Sequence, residues 1–391
     1  MTFRILSLDG GGIWGIVSST MLVTLEKLVG TPLNEYFDLI AGTSTGSIIA
    51  CGLSGGNSPQ ELANLYQKNG TAIFPYTSLF SPQRLPVALK YGILGPKYSP
   101  QGLEQVLKSQ FGNKKISEIT KSKLLIIAYD TLSRQPIFFK NWRSRFMGLT
   151  LWEACVCSSA APTFFPAHYL TRKEGGLVAS ATSNTICFAE ILDVDTYNQM
   201  QLSILSGKGA GQIRNISNFQ KTRQKQTAFI DSPWVVIPDR TSTYSLKVEY
   251  SLIDGGVGAN NPTACAIAEA LRLGHALKDI HILSVGTGSF TLPIPFLEAS
   301  RWGILNWATA ISNVLIDASS DINDYISEQV SYDDQYLRLQ FRLDRESLVK
   351  ITNKIDDVSP ENLQNLIMVA NEYISQPYII QNIKDFITQA K

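Results

Sequence analysis

Twice within the first fifty residues an apolar run stops at a glycine-rich turn and a helical pattern follows. Phe3 to Leu8 reads as a short buried strand. After Asp9, Gly10, Gly11 and Gly12, a helical stretch to about Val29 puts Ile16, Met21, Leu22, Leu25 and Leu28 largely on one face. Phe37 to Ala41 reads as a second strand. It runs through Gly42-Thr43-Ser44-Thr45-Gly46 into a helix over Ser47 to Leu53 that is apolar or small on most sides. Strand, turn and helix in that order, repeated, predict an α/β fold: a mainly parallel central sheet between two layers of helices.

Later segments continue the theme. Leu124 to Tyr129 and Ile280 to Val285 read as strands, and the second ends in Gly286-Thr287-Gly288. Leu151 to Ala160 and Thr263 to Leu273 read as helices, and residues 75–100, rich in Pro, Tyr and Ser, as an ordered loop or lid near a cleft. From about Arg172 to Lys247 the pattern changes to short polar and β-branched runs. These are Gln199 to Leu205, Gly211 to Phe219, Trp234 to Ile237 and Tyr244 to Val248. That stretch carries nine Lys or Arg against six Asp or Glu, hence +3, and reads as an inserted small all-β module. A discontinuous main domain, 1–171 and 248–330, is therefore expected around an insertion at 172–247. Residues 331–391 should add a C-terminal strand and helices packed on the main domain.

Lys plus Arg number 34 and Asp plus Glu 33 in 391 residues, a balance that excludes a nucleic-acid binder held by phosphate contacts. At 44% hydrophobic and 17% charged, the chain has ample material for a core and is not a disordered tail. Five cysteines, an odd and sparse set, fit a reducing compartment better than a disulfide framework. Neither a secretory signal nor an eighteen-residue apolar run is evident, so the expectation is a cytoplasmic protein, at most peripheral to a membrane.

Chemistry is concentrated in the turns. Gly42-Thr43-Ser44-Thr45-Gly46 is a G-x-S-x-G sequence between strand and helix, where a sharp turn exposes the Ser44 hydroxyl at a helix N-terminus. Gly42 and Gly46 remove the side chains that would clash there. Gly10, Gly11 and Gly12 offer successive backbone amides, a concavity suited to the oxyanion formed when an ester carbonyl is attacked. Gly10-x-Gly12-x-x-Gly15 also fits a dinucleotide fingerprint, but the second strand ends in Gly42 to Gly46 with no carboxylate to hold a ribose. Asp254-Gly255-Gly256 follows an apolar run. Alone it is a plain Asp-Gly turn; beside an elbow serine its carboxylate becomes a candidate general base once desolvated.

A Ser-His-Asp triad fails on placement. His281 begins a strand and His275 ends the helix before it, both on the rim opposite the carboxyl ends of the strands, and His168 could only brush the cleft.

Taken together these motifs resemble the patatin-like phospholipases. The resemblance is carried by Asp9-Gly-Gly-Gly-Ile-Trp-Gly15, Gly42 to Gly46, Ser158-Ser-Ala-Ala-Pro-Thr-Phe-Phe-Pro166, Leu252-Ile-Asp-Gly-Gly-Val-Gly-Ala-Asn-Asn-Pro262 and Leu283 to Gly288. It implies a three-layer α/β/α hydrolase acting on lipid acyl esters, with Ser44 as nucleophile, Asp254 as base, Gly10 to Gly12 as oxyanion loop, and no metal or cofactor. Many members carry Arg where this chain has Trp14. That departure removes a direct pairing with a lipid phosphate; Trp14 suits a neutral lipid or an acyl chain, or simply packs its helix.

Ser206 to Ile216 and Asp231 to Tyr244 resemble a β-rich repeat of bacteriophage tail and virion proteins. For the insertion this implies a protein or glycan partner, with a tolerated loop insertion as the equal alternative. Cys155-x-Cys157 lacks partners for a metal and reads as core, and no calcium-loop spacing occurs. An apolar stripe of Trp302, Ile304, Leu305, Trp307 and Ile311 reads as core in preference to membrane contact. The expected partner is a lipid or membrane-surface substrate. The alternatives are an esterase on small esters and a non-catalytic storage or phage-associated interaction protein.

Overall fold

The computed structural model describes residues 2–189, 200–222, 226–290, 293–332, 334–344 and 350–390. The sheet starts with β1 (Phe3–Leu8), β2 (Leu39–Thr43) and β3 (Lys123–Asp130), three parallel neighbours that are buried almost throughout. Near-continuous apolar runs are what strands covered on both faces require. A hairpin partner, β4 (Gln135–Lys140), returns along β3.

Six antiparallel strands follow: β5 (His168–Ala181), β6 (Thr185–Phe188), β7 (Gln201–Ser206), β8 (Ile213–Lys221), β9 (Gln226–Ile230) and β10 (Thr243–Asp254). Finally β11 (Ile280–Val285) and β12 (Tyr336–Leu339) extend the sheet in parallel on the far side of β1.

The α/β layering matches the expectation, while the sheet is mixed. It is parallel over β12-β11-β1-β2-β3 and antiparallel from β10 onward. The antiparallel part closes on itself in the order β10-β5-β6-β9-β8-β7, with β7 pairing back to β10. Closure leaves no free edge among these six strands, and alternation along β10 turns Tyr244, Leu246 and Val248 inward. The barrel is not strung on linkers. β5 and β10, paired from Leu252↔His168 to Thr243↔Leu177, run uninterrupted from the barrel down to β3.

Some boundaries differ from the sequence reading for identifiable reasons. Trp234 to Ile237 forms no strand; Val235 and Val236 donate their amides to the Gln212 side chain instead of to a ladder. Residues 190–199 and 223–225 of the insertion, and the side chain of Leu305, lie outside the described residues. β12 is an integral edge strand of the central sheet, and the helix Pro360–Ile374 packs on the helix Gly15–Val29.

Gly12 to Val29 is, by length and composition, apolar enough to cross a membrane, although Ser, Thr, Glu and Lys interrupt its apolar run. In this fold it is a core helix: Ile16, Val17, Met21 and Leu22 are fully buried.

The apolar stripe near residue 304, by contrast, is not core. It belongs to a 27-residue helix, Ile304–Val330, on which Ile304 is 88% exposed and Trp307 and Ile311 are more than a third exposed.

Candidate active site

Ser44 sits where β2 turns into the helix Thr45–Ser54, with φ 53° and ψ −122°. A positive φ is costly for a residue with a Cβ, of order 1–3 kcal/mol, and persists only where the surroundings impose it. Here they do. A Cβ on Gly42 would lie 2.2 Å from the Gly46 carbonyl oxygen, and one on Gly46 would lie 2.1 Å from the Leu8 carbonyl oxygen. Only glycines let the elbow press this close to β1. The Ser44 amide donates to Ser158 Oγ at 2.8 Å, and Ser158 Oγ donates to the Ile127 carbonyl at 2.6 Å. Ser47 Oγ donates to the Ser44 carbonyl at 2.6 Å. The backbone of residue 44 is thus held from both sides.

Asp254 arrives from the opposite direction. Thr43, the last residue of β2, pairs with Ile127, and Asp254, the last residue of β10, pairs with Ala128 on the same flank of β3. The two strands therefore meet carboxyl end to carboxyl end along one edge. Ser44 Oγ donates to Asp254 Oδ2 at 2.6 Å, and the Gly256 amide donates to Oδ1 at 2.7 Å. Burial pushes the Asp254 carboxyl up to about 6, against the two hydrogen bonds that pull it down. A carboxylate poised there can accept a proton near neutral pH, which one at its ordinary value does poorly.

The glycine loop after β1 departs from the sequence reading at one position. The Gly10 amide donates to the Asn260 carbonyl at 3.0 Å, so it is committed to structure, unlike the Gly11 and Gly12 amides, which have no partner among the described residues. The loop amides left uncommitted at the cavity are therefore those of Gly11 and Gly12. Gly12 has φ 58°, and a Cβ there would meet the Ile355 carbonyl oxygen at 2.5 Å.

Behind the loop, Arg338 grips Asp9 with both terminal nitrogens, Nη1 at 3.0 Å and Nη2 at 2.5 Å, and Nη1 also donates to Ser284 Oγ at 2.8 Å. Asn260 and Thr287 both donate to the Gly10 carbonyl. Ser158 and Asn260 stand inside motifs noted in the sequence. Arg338 carried no local signal, because its partner is 329 positions away.

Ser44, Asp254 and the glycine loop line one cavity of about 570 Å³. Much of its wall is apolar, with Trp14, Ile48, Phe74, Phe164 and Phe290 among the contributors. Trp14 is about nine-tenths buried and packs against Phe290 with ring centroids 5.2 Å apart, so it both packs its helix and forms wall. Among the described lining residues every charged side chain is an aspartate: Asp9, Asp254, Asp317 and Asp321. Burial and the neighbouring Asp321 push the Asp317 carboxyl up.

The histidines are elsewhere. His275 stacks on Phe3 with centroids 3.9 Å apart, His281 pairs in β11 with Arg4 of β1, and His168 Nε2 lies 3.7 Å from Glu153. Cys155 and Cys157 are buried in the core.

A strand–elbow–helix serine, a buried carboxylate and paired free amides at the end of an acyl-sized cavity belong to the class of ester hydrolases. Residues 6–184 match the family model described as patatin-like phospholipase, a span that includes Ser44 and the glycine loop. Patatin-like protein 2 of Oryza sativa subsp. indica is 26% identical over 407 residues, covering 93% of this chain and 82% of that protein. Patatin-like protein 3 of Arabidopsis thaliana is 27% identical over 415 residues, covering 95% and 80%. Patatin-T5 of Solanum tuberosum is 24% identical over 408 residues, covering 95% and 83%. The chain thus carries a patatin-like phospholipase domain over residues 6–184 and is similar to patatin-like proteins over most of its length, which supports a hydrolase acting on ester bonds.

Proposed function

We propose that the protein cleaves carboxylic esters of membrane lipids, in the manner of a phospholipase A or lysophospholipase, through a Ser44–Asp254 dyad and an acyl-enzyme. The observation that carries this reading is the 2.6 Å hydrogen bond from Ser44 Oγ to Asp254 Oδ2 in a largely apolar cavity. Ser44 Oγ attacks the ester carbonyl carbon while Asp254 takes the hydroxyl proton. The carbonyl oxygen becomes an oxyanion, and the Gly11 and Gly12 amides donate to it. Each such donor is worth about 3 kcal/mol at the transition state in measured systems.

Collapse re-forms the carbonyl and breaks the bond to the leaving oxygen, which takes the proton from Asp254. Water then gives its proton to Asp254 and attacks the acyl carbon; the second collapse returns Ser44 Oγ its proton and releases the fatty acid. The N-terminus of the helix Thr45–Ser54 adds a favourable field for negative charge at the elbow.

Wall chemistry supports a lipid over a small ester, since a short acyl group would leave much of the apolar surface unfilled. The all-aspartate set of charges supports a neutral or zwitterionic headgroup over an anionic one. The division of the chain into a hydrolase domain, the barrel at 172–247 and the C-terminal elements belongs to the same proposal, as does a cytoplasmic setting, which the five free cysteines favour.

Hydrolysis of a long-chain chromogenic ester tests the reading. Ser44→Ala should lower turnover by at least about a thousandfold with the circular dichroism spectrum unchanged. Full activity in that variant, or faster turnover of acetyl than of long-chain esters by the native enzyme, would contradict it.

A further inference from the structure

The segment between the helices Pro59–Ile73 and Pro100–Phe111 presents apolar side chains to water, although it is tightly built. Leu79, Phe80, Leu85, Leu89, Ile93 and Leu94 are all more than half exposed, Phe80 at 96% and Leu94 fully. Surfaces of this kind mark contact sites on soluble folds. The segment holds its shape from within. Buried Arg84 donates Nη2 to the carbonyls of Ile93 at 2.8 Å and Gly95 at 3.1 Å. Tyr98 OH lies within hydrogen-bond distance of two acceptors, the Tyr76 carbonyl at 2.6 Å and Asp356 Oδ2 at 2.7 Å. These bonds fix a short helix, Leu85–Tyr91, in a stretch the sequence suggested was loop or lid.

Both ends of this strap are fastened to the cavity. Phe74, just before it, lines the cavity, and at its other end the Lys97 and Tyr98 amides donate to the carbonyls of Thr163 and Phe164 at 2.8 Å each. Phe164 is itself cavity wall. The charge pattern is one-sided: no Asp or Glu occurs between Glu61 and Glu104, whereas Lys68, Arg84, Lys90 and Lys97 do. Arg84 is turned inward and Lys97 is paired with Asp356. Lys90 is exposed among the apolar groups, its Nζ 4.9 Å from the Tyr91 ring centroid. Apolar side chains bordered by Lys and Tyr, without carboxylates, fit the boundary between acyl chains and phosphates.

We propose that residues 75–96 form a preformed strap that docks on a phospholipid bilayer, inserting Phe80, Ile93 and Leu94 below the headgroups while Lys90 meets lipid phosphate. A lipid ester lies in the bilayer, so a cavity that takes its acyl chain must be brought against the surface beside its own wall, where the strap is anchored. The inference rests on the lipid reading above only for the identity of the surface.

The test separates binding from catalysis. Full-length Ser44→Ala protein is sedimented with phosphatidylcholine vesicles, with and without phosphatidylglycerol. Phe80→Ser/Ile93→Ser/Leu94→Ser in that background should lower partitioning by more than about tenfold on both vesicles. Lys90→Glu should lower it several-fold and only on the anionic ones. In the Ser44 enzyme the triple variant should hydrolyse a soluble short-chain ester within about twofold of the parent, which also shows that it folds, and lose vesicle hydrolysis. Unchanged partitioning of the triple variant would overturn the proposal, as would a parent that binds neither vesicle. A strap-dependent dimer in sedimentation velocity with no vesicle binding would assign the face to a second copy of the chain instead. Should the Ser44 enzyme be inert on every ester while binding stays strap-dependent, the catalytic reading fails and the docking stands.

Discussion

Arg338, on edge strand β12, closes both carboxylate oxygens of Asp9, the residue that opens the glycine loop at the end of β1. Asp9 is 2% exposed, and burial pushes its carboxyl up while Arg338 opposes the rise. The pair fixes the point from which the Gly11 and Gly12 amides are presented.

Removing one member leaves the other charge buried and uncompensated. Arg338→Met should therefore destabilise the fold by about 3–5 kcal/mol, measured by urea denaturation. Asp9→Asn/Arg338→Met should lose less than the sum of the two single changes, and ester turnover should fall in all three variants. Additive losses would mean that the pair is not coupled.

In the proposed mechanism the pH dependence of hydrolysis follows from Asp254. With its carboxyl pushed up to about 6, the base is protonated and idle below that value. The logarithm of kcat/KM for a neutral ester should rise with unit slope as pH approaches about 6 and level off above it. A profile flat down to pH 4 would contradict a carboxylate base at this site.

The same shift has a stability consequence. A folded-state carboxyl raised above its unfolded value binds more protons in the native protein, so stability falls as pH rises from about 4 through about 6. Above that window the ionised Asp254 costs on the order of 2–3 kcal/mol. Asp254→Asn removes the cost. It should raise the thermal midpoint at pH 8, raise it much less at pH 4, and lower turnover by at least about a thousandfold. A lower midpoint at pH 8 would show that the carboxylate supports the fold.

What the sequence made legible was local. Ser44 and Asp254 stand out because each sits in a turn whose glycines have steric work: Gly46 pressed on Leu8, and Gly255 where a Cβ would lie 2.3 Å from the Ile127 carbonyl oxygen. Their meeting is topological. It depends on β2 and β10 abutting along β3, and no periodicity encodes a strand that enters from a distant barrel. The loss of the Gly10 amide to Asn260 and the arrival of Arg338 behind Asp9 are long-range for the same reason. The stripe of Trp302, Ile304, Trp307 and Ile311 reads as core in sequence because an apolar stripe has the same spacing whether it meets a core or water.

In the proposed reaction the Ser44 oxygen, deprotonated by Asp254, is the atom that carries the acyl group. Intact-mass spectrometry after incubation with a fluorophosphonate ester probe tests it directly. The native protein should gain one adduct, mapped to Ser44 by peptide sequencing; Asp254→Asn should gain it at least about a hundredfold more slowly, and Ser44→Ala not at all. An adduct that persists in Ser44→Ala would rule out Ser44 as the acyl carrier, and one that forms equally fast in Asp254→Asn would rule out Asp254 as its base.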